Sequence, residues 1–308
     1  MTYKKTFDPA LPMKRLTANH RQASVADRRD GAVYVYYDER LALAVNVALA
    51  TGRPALLLGR PGTGKSSLAR NVALRLGFRY YETVITSRTQ ARDLLWEVDL
   101  LRRLHEAQMP RKKLSSDMTP FLSPGVLWWA FDPVSAAYRG PKRPGDPLPD
   151  PALERGGQRA VVLIDEIDKA EPDVPNNLLV PLGSLQFQVE ETQFEVKTKR
   201  ELAPLVFITS NAERELPPAF LRRCIQIELR PPDRAGLVEI GYAHFPEFGR
   251  PPLAKIADHL DKAREAAGRP DPPGAPEFLD TVRACRDMQI QPGSAEWDAL
   301  VQVTFLKG

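Results

Sequence analysis

The sequence predicts an α/β fold, a doubly wound parallel sheet followed by a small helical domain. Three runs carry that expectation. Leu56-Leu57-Leu58 is apolar and breaks at Gly59 into the spacing Gly-x-x-x-x-Gly-Lys-Ser, which then opens a helical pattern from Ser67 to Gly77. Ala160 to Ile164 is a second apolar run, ending at Asp165 and Glu166, and Leu205 to Thr209 is a third, ending at Ser210 and Asn211. Short runs that are apolar at every position suit strands buried on both faces, as in a parallel sheet covered by helices.

Taken in order, the chain begins with residues 1–30, which hold seven Lys/Arg (Lys4, Lys5, Lys14, Arg15, Arg21, Arg28, Arg29) against Asp8, Asp27 and Asp30. That difference equals the whole chain's net charge of +4, so the rest is balanced. A neutral body argues against a duplex-binding face, and nucleic acid is not the expected partner. The stretch reads as a basic, flexible tail that could still touch an acidic partner. Gly31 to Tyr37 is β-prone, and Asp38 starts a helical pattern that Gly52 and Pro54 end. Arg79 to Ile85 reads as a strand. Thr89 to Ala107 reads as one helix with an apolar stripe of Leu94, Leu95, Val98, Leu101 and Leu104.

Between Met109 and Arg159 the alternation is lost. Trp128 and Trp129 are read as core packing, with one of the pair at a surface or partner contact as the alternative. The Pro/Gly-rich stretch 140–157 reads as a long exposed loop. After Glu166 come a helix from Pro172 to Gly183 and a hairpin, Leu185 to Val189 with Gln193 to Lys197. Pro217 to Arg223 reads as a short helix and Cys224 to Leu229 as a last strand. From Asp233 the pattern is helical, broken at Gly249–Pro252 and Gly268–Pro276. The shift at Pro231-Pro232 divides a core, 31–230, from a helical domain, 231–308.

The 308 residues, 43% of them hydrophobic, can build a substantial core. No apolar run approaches the roughly 20 residues a membrane helix needs, and Asn46 interrupts the longest, Leu41 to Ala50. Lys4 and Lys5 precede no apolar stretch, so no secretory signal is read and a cytoplasmic location is expected. Cys224 and Cys285, and His20, His105, His244 and His259, lie too far apart in sequence to suggest a metal site made of side chains alone.

The chemistry is read from two places. In the Gly59–Ser66 loop, glycines let backbone N–H groups turn toward phosphate oxygens and the following helix presents its N-terminus to them. Lys65 would reach the β/γ-phosphates, and the Ser66 hydroxyl would ligate Mg²⁺. Gly59, Pro61, Gly62, Thr63, Gly64, Lys65, Ser66 and Ser67 are the expected nucleotide-binding positions, for ATP and ADP. Asp165 and Glu166 emerge at the carboxyl end of a buried strand, where doubly wound sheets bind ligands. Asp165 would hold the metal opposite Ser66, and Glu166 would polarise the attacking water.

With these pieces in order, residues 31–308 resemble the MoxR branch of the AAA+ ATPases. The resemblance rests on GRPGTGKS, on LIDEIDKAEPDVPNNLL, on the hairpin preceding FITSN, and on LPPAFLRRC, which is similar to that family's Leu-Pro-x-Ala-x-Leu-Asp-Arg-Phe. It implies Asn211 as the sensor 1 residue and Arg223 as an arginine finger acting on a neighbour's nucleotide, with Arg222 where the family usually has Asp. It also implies that the Leu185–Lys197 hairpin is a pre-sensor insertion and that the double-Trp region faces a central pore. A ring, a hexamer, that remodels or matures a partner protein follows, the partner carrying a von Willebrand A-type domain in many relatives and some relatives serving bacterial conflict or stress systems. The chain departs from the family at Glu277, where a sensor 2 Arg is usual. Two other readings stay open, a nucleic-acid-translocating motor and a non-hydrolysing ATP switch.

Overall fold

The structure, a computed structural model, describes residues 4–11, 33–36, 38–108, 116–142, 146–147, 159–267 and 273–305. Its centre is a parallel sheet whose strands, numbered in chain order, lie side by side as β2 (Arg79–Val84), β5 (Ala160–Asp165), β8 (Leu205–Ser210), β1 (Ala55–Leu58) and β9 (Ile225–Glu228). Successive side chains on a strand point to opposite faces, and here both faces are covered. Leu57, Leu163 and Phe207 pack with Leu41 and Val45 of α1 (Glu39–Thr51) and Leu68 and Val72 of α2 (Lys65–Leu76). Leu56, Val162, Ile164 and Ile208 pack on the other face with Leu127 and Trp128 of α4 (Val126–Phe131) and Leu178 of α6 (Asp173–Ser184). The doubly wound α/β class is therefore present.

Two short helices, α5 (Pro133–Tyr138) and α7 (Pro218–Leu221), complete the core, and local signals set the helix ends. The Asp38 side chain accepts from the Arg40 amide at 2.8 Å to cap α1, and Gly52 closes it at φ 70°. The hairpin β6 (Gln186–Val189) with β7 (Phe194–Lys197) forms as expected.

Thr89 to Ala107 is not one helix. Gln90 starts a short 3₁₀ turn, Trp96–Val98 is a strand, β3, paired antiparallel with β4 (Leu122–Pro124), and only Leu100–Ala107, α3, is α-helical. Asp99 is the reason for the late start: its side chain accepts from the Arg102 amide at 2.8 Å, which caps a new helix after the strand. The leucine stripe divides accordingly. Leu94 is buried, whereas Leu101 is 82% exposed and Leu100 and Leu104 are exposed beside it.

Trp128 is fully buried, its indole N–H donating to Ser135 Oγ at 2.9 Å, and Trp129 lies against Tyr81 with ring centroids 6.5 Å apart. Trp128 is thus a core side chain, and Trp129 is half-buried against the same cluster. Residues 33–36 carry no strand, while 31, 32 and 37 lie outside the described residues. Part of the expected tail is docked: Phe7 is buried, and Asn46 accepts from the Thr6 and Phe7 amides at 2.7 and 2.8 Å. Residues 12–30 and most of the 140–157 loop lie outside the described residues.

The C-terminal helices α8 (Arg234–His244), α9 (Arg250–Ala267), α10 (Ala275–Met288) and α11 (Ala295–Phe305) enclose a cluster of their own, built on Leu237, Leu253, Ile256, Phe278, Val282 and Trp297. No helix among the described residues is long and apolar enough to cross a membrane.

Candidate nucleotide site

Three neighbouring strands, β5, β8 and β1, end at the same edge of the sheet, and the loop after β1 curls over that edge. Gly59 leaves β1 with φ 153°, and a Cβ built there would lie 2.5 Å from the Leu229 carbonyl oxygen, so the close approach of two backbones requires glycine. Gly62 and Gly64 take φ 76° and 86°, the left-handed conformation that turns amides inward. The Thr63 hydroxyl donates to the Arg60 carbonyl at 2.9 Å and closes the loop. Pro61 is exposed at its tip, and Ser66 and Ser67 are half-buried in the first turn of α2.

Lys65, the first residue of α2, is 7% exposed. Its ammonium donates to the Gly59 and Arg60 carbonyls at 2.6 and 3.0 Å and to Asn211 Oδ1 at 2.6 Å. Burial pulls its pKa below the ordinary lysine value, against the opposing charges of Asp165, Asp168 and Glu166. A buried ammonium held by neutral oxygens, at the start of a helix and beside a turn with two left-handed glycines, suits an anion.

Ser66 Oγ donates to Asp165 Oδ2 at 2.9 Å. A hydroxyl and a carboxylate side by side are hard oxygen donors, the kind Mg²⁺ takes together with phosphates, so these residues fit that ion. The Thr209 hydroxyl donates to the other oxygen of Asp165 and accepts from the Glu166 amide at 2.9 Å. Glu166 itself sits at φ 62°, an unusual conformation for a non-glycine residue, and its Oε2 is 2.7 Å from Lys169 Nζ. That contact raises the Lys169 pKa.

Lys65, Ser66, Asp165, Glu166 and Asn211, picked out by motif, are brought together. Arg223 is not among them. It is exposed two residues before β9, whose Ile225 is level with Ala55, at the opposite end of β1 from the loop. Arg53 holds that turn, donating to the Arg223 and Cys224 carbonyls at 3.1 and 3.2 Å and to the Arg222 carbonyl. Glu277, where the resemblance would lead one to expect a sensor 2 Arg, accepts from the Gly274 amide at 2.8 Å and caps α10, whose Pro276 ring lies against Gly62. The residue reading missed Thr209, Asp168 and Arg53. A threonine at the last position of an apolar strand and an aspartate flanked by Ile167 and Lys169 were the available signals.

A family profile described as the AAA domain of the dynein-related subfamily matches residues 54–224, more than half of the chain. The chain belongs to that AAA family. It is accordingly an ATPase that binds nucleotide, and the matched region contains the loop and all three strand ends just described. No curated protein matches the chain. Among solved structures, the RuvB Holliday junction branch migration motor of Thermotoga maritima is similar over 86% of this chain and 66% of that one, at 15% identity and a TM-score of 0.45. A proline-to-glycine variant of the same motor gives 17% identity, 86% and 67% coverage and a TM-score of 0.47. The chain thus spans about two thirds of the length of these structures.

Proposed function

We propose that the protein is a MoxR-like member of the AAA+ ATPases, hydrolysing Mg²⁺-ATP as a ring, a hexamer, to remodel or mature a partner protein. The observation that carries the hydrolytic part is the convergence of Lys65 with Asn211 and of Ser66 with Asp165 at one sheet edge, at 2.6 and 2.9 Å. In this reading the amides of Gly62, Gly64 and Lys65 bind the phosphates, and Lys65 exchanges its carbonyl partners for β/γ oxygens. Ser66 and Asp165 would hold Mg²⁺, which when bound neutralises charge on the phosphates. Glu166 orients and polarises water, Asn211 fixes the water and the γ-phosphate, and Arg223 serves a neighbour's site. The partner-remodelling part is supported by the likeness of LIDEIDKAEPDV and LPPAFLRRC to the MoxR branch. The domain division 31–230 and 231–308 is supported by the separate C-terminal cluster.

The roles separate by what each residue stabilises. Lys65 neutralises charge already present in bound ATP, whereas Glu166 acts on water during the reaction. Lys65→Ala should abolish ATP binding, and Glu166→Gln should bind ATP like the parent and lose turnover. Equilibrium binding and steady-state hydrolysis, measured separately, check this. Turnover by Glu166→Gln within a few-fold of the parent would remove Glu166 from its role.

A further inference from the structure

We infer that Asp168 is a positioning residue for hydrolysis, a clamp that fixes the turn from which Asn211 projects. The inference rests on the reading of the site given above and adds a residue to it. Asp168 stands in the 3₁₀ turn Ile167–Lys169 just beyond β5 and is 2% exposed. A carboxylate taken that far out of water needs compensation from hydrogen bonds or charge.

Its Oδ2 accepts from two backbone amides of the next strand's end, Asn211 N at 3.0 Å and Glu213 N at 2.9 Å. Between those two donors Ala212 lies at φ 60°, a left-handed conformation that alanine adopts reluctantly. Such a residue turns the flanking amides to one side, where a single anion can take both. Carboxylate and turn therefore sustain each other: without the anion, the Asn211 and Glu213 amides lose their shared acceptor, and only the Ala212 amide's bond to Ser210 Oγ at 3.0 Å is left to hold the left-handed turn. Asp168 Oδ1 is buried and has no hydrogen-bond partner among the described residues. Among the described residues, the turn at Asn211–Glu213 supplies the only hydrogen bonds to this side chain.

Asn211 passes the consequence on. Its side-chain oxygen accepts from Lys65 Nζ at 2.6 Å, so the position of that amide group depends on a backbone that Asp168 fixes. Asp168 makes no hydrogen bond to Lys65 itself, although its charge favours the ammonium. It acts through Asn211, which makes non-additivity its signature.

The test uses the full chain with Asp168→Ala, Asp168→Asn, Asn211→Ala and the double variant Asp168→Ala/Asn211→Ala. Asp168→Ala should lower kcat by about tenfold or more while the ATP dissociation constant stays within a few-fold, because the interaction lost belongs to the reacting geometry. The double variant should be no slower than Asn211→Ala alone. Asp168→Asn keeps an oxygen for the two amides but loses the charge, so it should recover part of the rate. Amide hydrogen exchange at Asn211 and Glu213 should quicken in Asp168→Asn with the melting temperature near parental.

Losses that multiply in the double variant, a parental kcat for Asp168→Ala, or unchanged exchange at both amides in Asp168→Asn would each overturn the clamp. Should Asp168→Ala fail to fold, the exchange result with Asp168→Asn decides. Failure of the site reading is separate and visible in Lys65→Ala or Glu166→Gln behaving like the parent. Those two behaving as expected with Asp168 inert would discard only the clamp.

Discussion

Lys65 and Gly59 illustrate how single residues set up this site. An ammonium buried on three neutral oxygens is poorly compensated for its desolvation, which is what lowers its pKa, and an incoming phosphate supplies the missing charge. The loop that holds it depends on Gly59, where backbone meets backbone. Leu229 N donates to the Leu58 carbonyl at 2.8 Å, and the Leu229 carbonyl occupies the space a side chain at 59 would need. Gly59→Ala combines that overlap with a φ unfavourable to alanine, so a stability loss of about 2 kcal/mol or more is expected. Thermal or denaturant unfolding measures it. A loss below about 0.5 kcal/mol, the range of ordinary surface changes, would show that β9 gives way without cost.

At the scale of elements, the parallel strands and the phosphate loop were legible because their signals are local: all-apolar runs for β1, β5 and β8, and a glycine spacing for the turn. The stretch 89–107 was misread because a strand and a helix in succession imitate one helical period. Leu94 and Trp96 point into the core, Asp99 restarts the chain, and Leu101 and Leu104 continue the spacing on an exposed face. What fixes β3 is distant in sequence. Trp96 donates to Glu191 at 2.6 Å and stacks on Phe187 with centroids 5.8 Å apart, so the two inserted hairpins are joined by side chains that no periodicity connects. Asp168 and Thr209 were missed for the same reason, since their partners lie some forty positions away. The departure at Glu277 was legible, its cause was not: the carboxylate caps α10 where that helix meets Gly62. Glu277→Lys removes the cap and places a cation at a helix N-terminus, which should lower stability by about 1 kcal/mol. Glu277→Gln, still able to accept, should stay near the parent. ATP turnover of either variant should remain within about tenfold of the parent, and a hundredfold loss, about 2.7 kcal/mol in the barrier, would give Glu277 a part in the reaction.

For the whole molecule, the parallel sheet separates the two halves of the proposed chemistry. The phosphate loop leaves the carboxyl end of β1, while Arg222 and Arg223 precede β9 at the level of the amino end of β1. At about 3.3 Å per residue, the length of β1 alone puts about 10 Å between those levels, and the Arg53 contacts hold the arginine turn at its edge. In the proposed ring, Arg223 would therefore serve a second copy of the chain rather than its own. A surface ion pair at that edge would contribute only about 0 to 1 kcal/mol, whereas an arginine delivered to a transferring phosphoryl group accelerates transfer by about 10³ to 10⁵. The two roles differ enough to be told apart by mixing. Arg223→Ala subunits retain a phosphate loop and Lys65→Ala subunits retain an arginine, so each is expected to be inactive alone. Mixed, they should recover part of the ATPase activity, because some interfaces pair an intact loop with an intact arginine. The parent's specific activity should also rise with protein concentration as rings assemble. No recovery in the mixture, together with a specific activity independent of concentration, would leave a monomeric ATPase with Arg223 outside its mechanism.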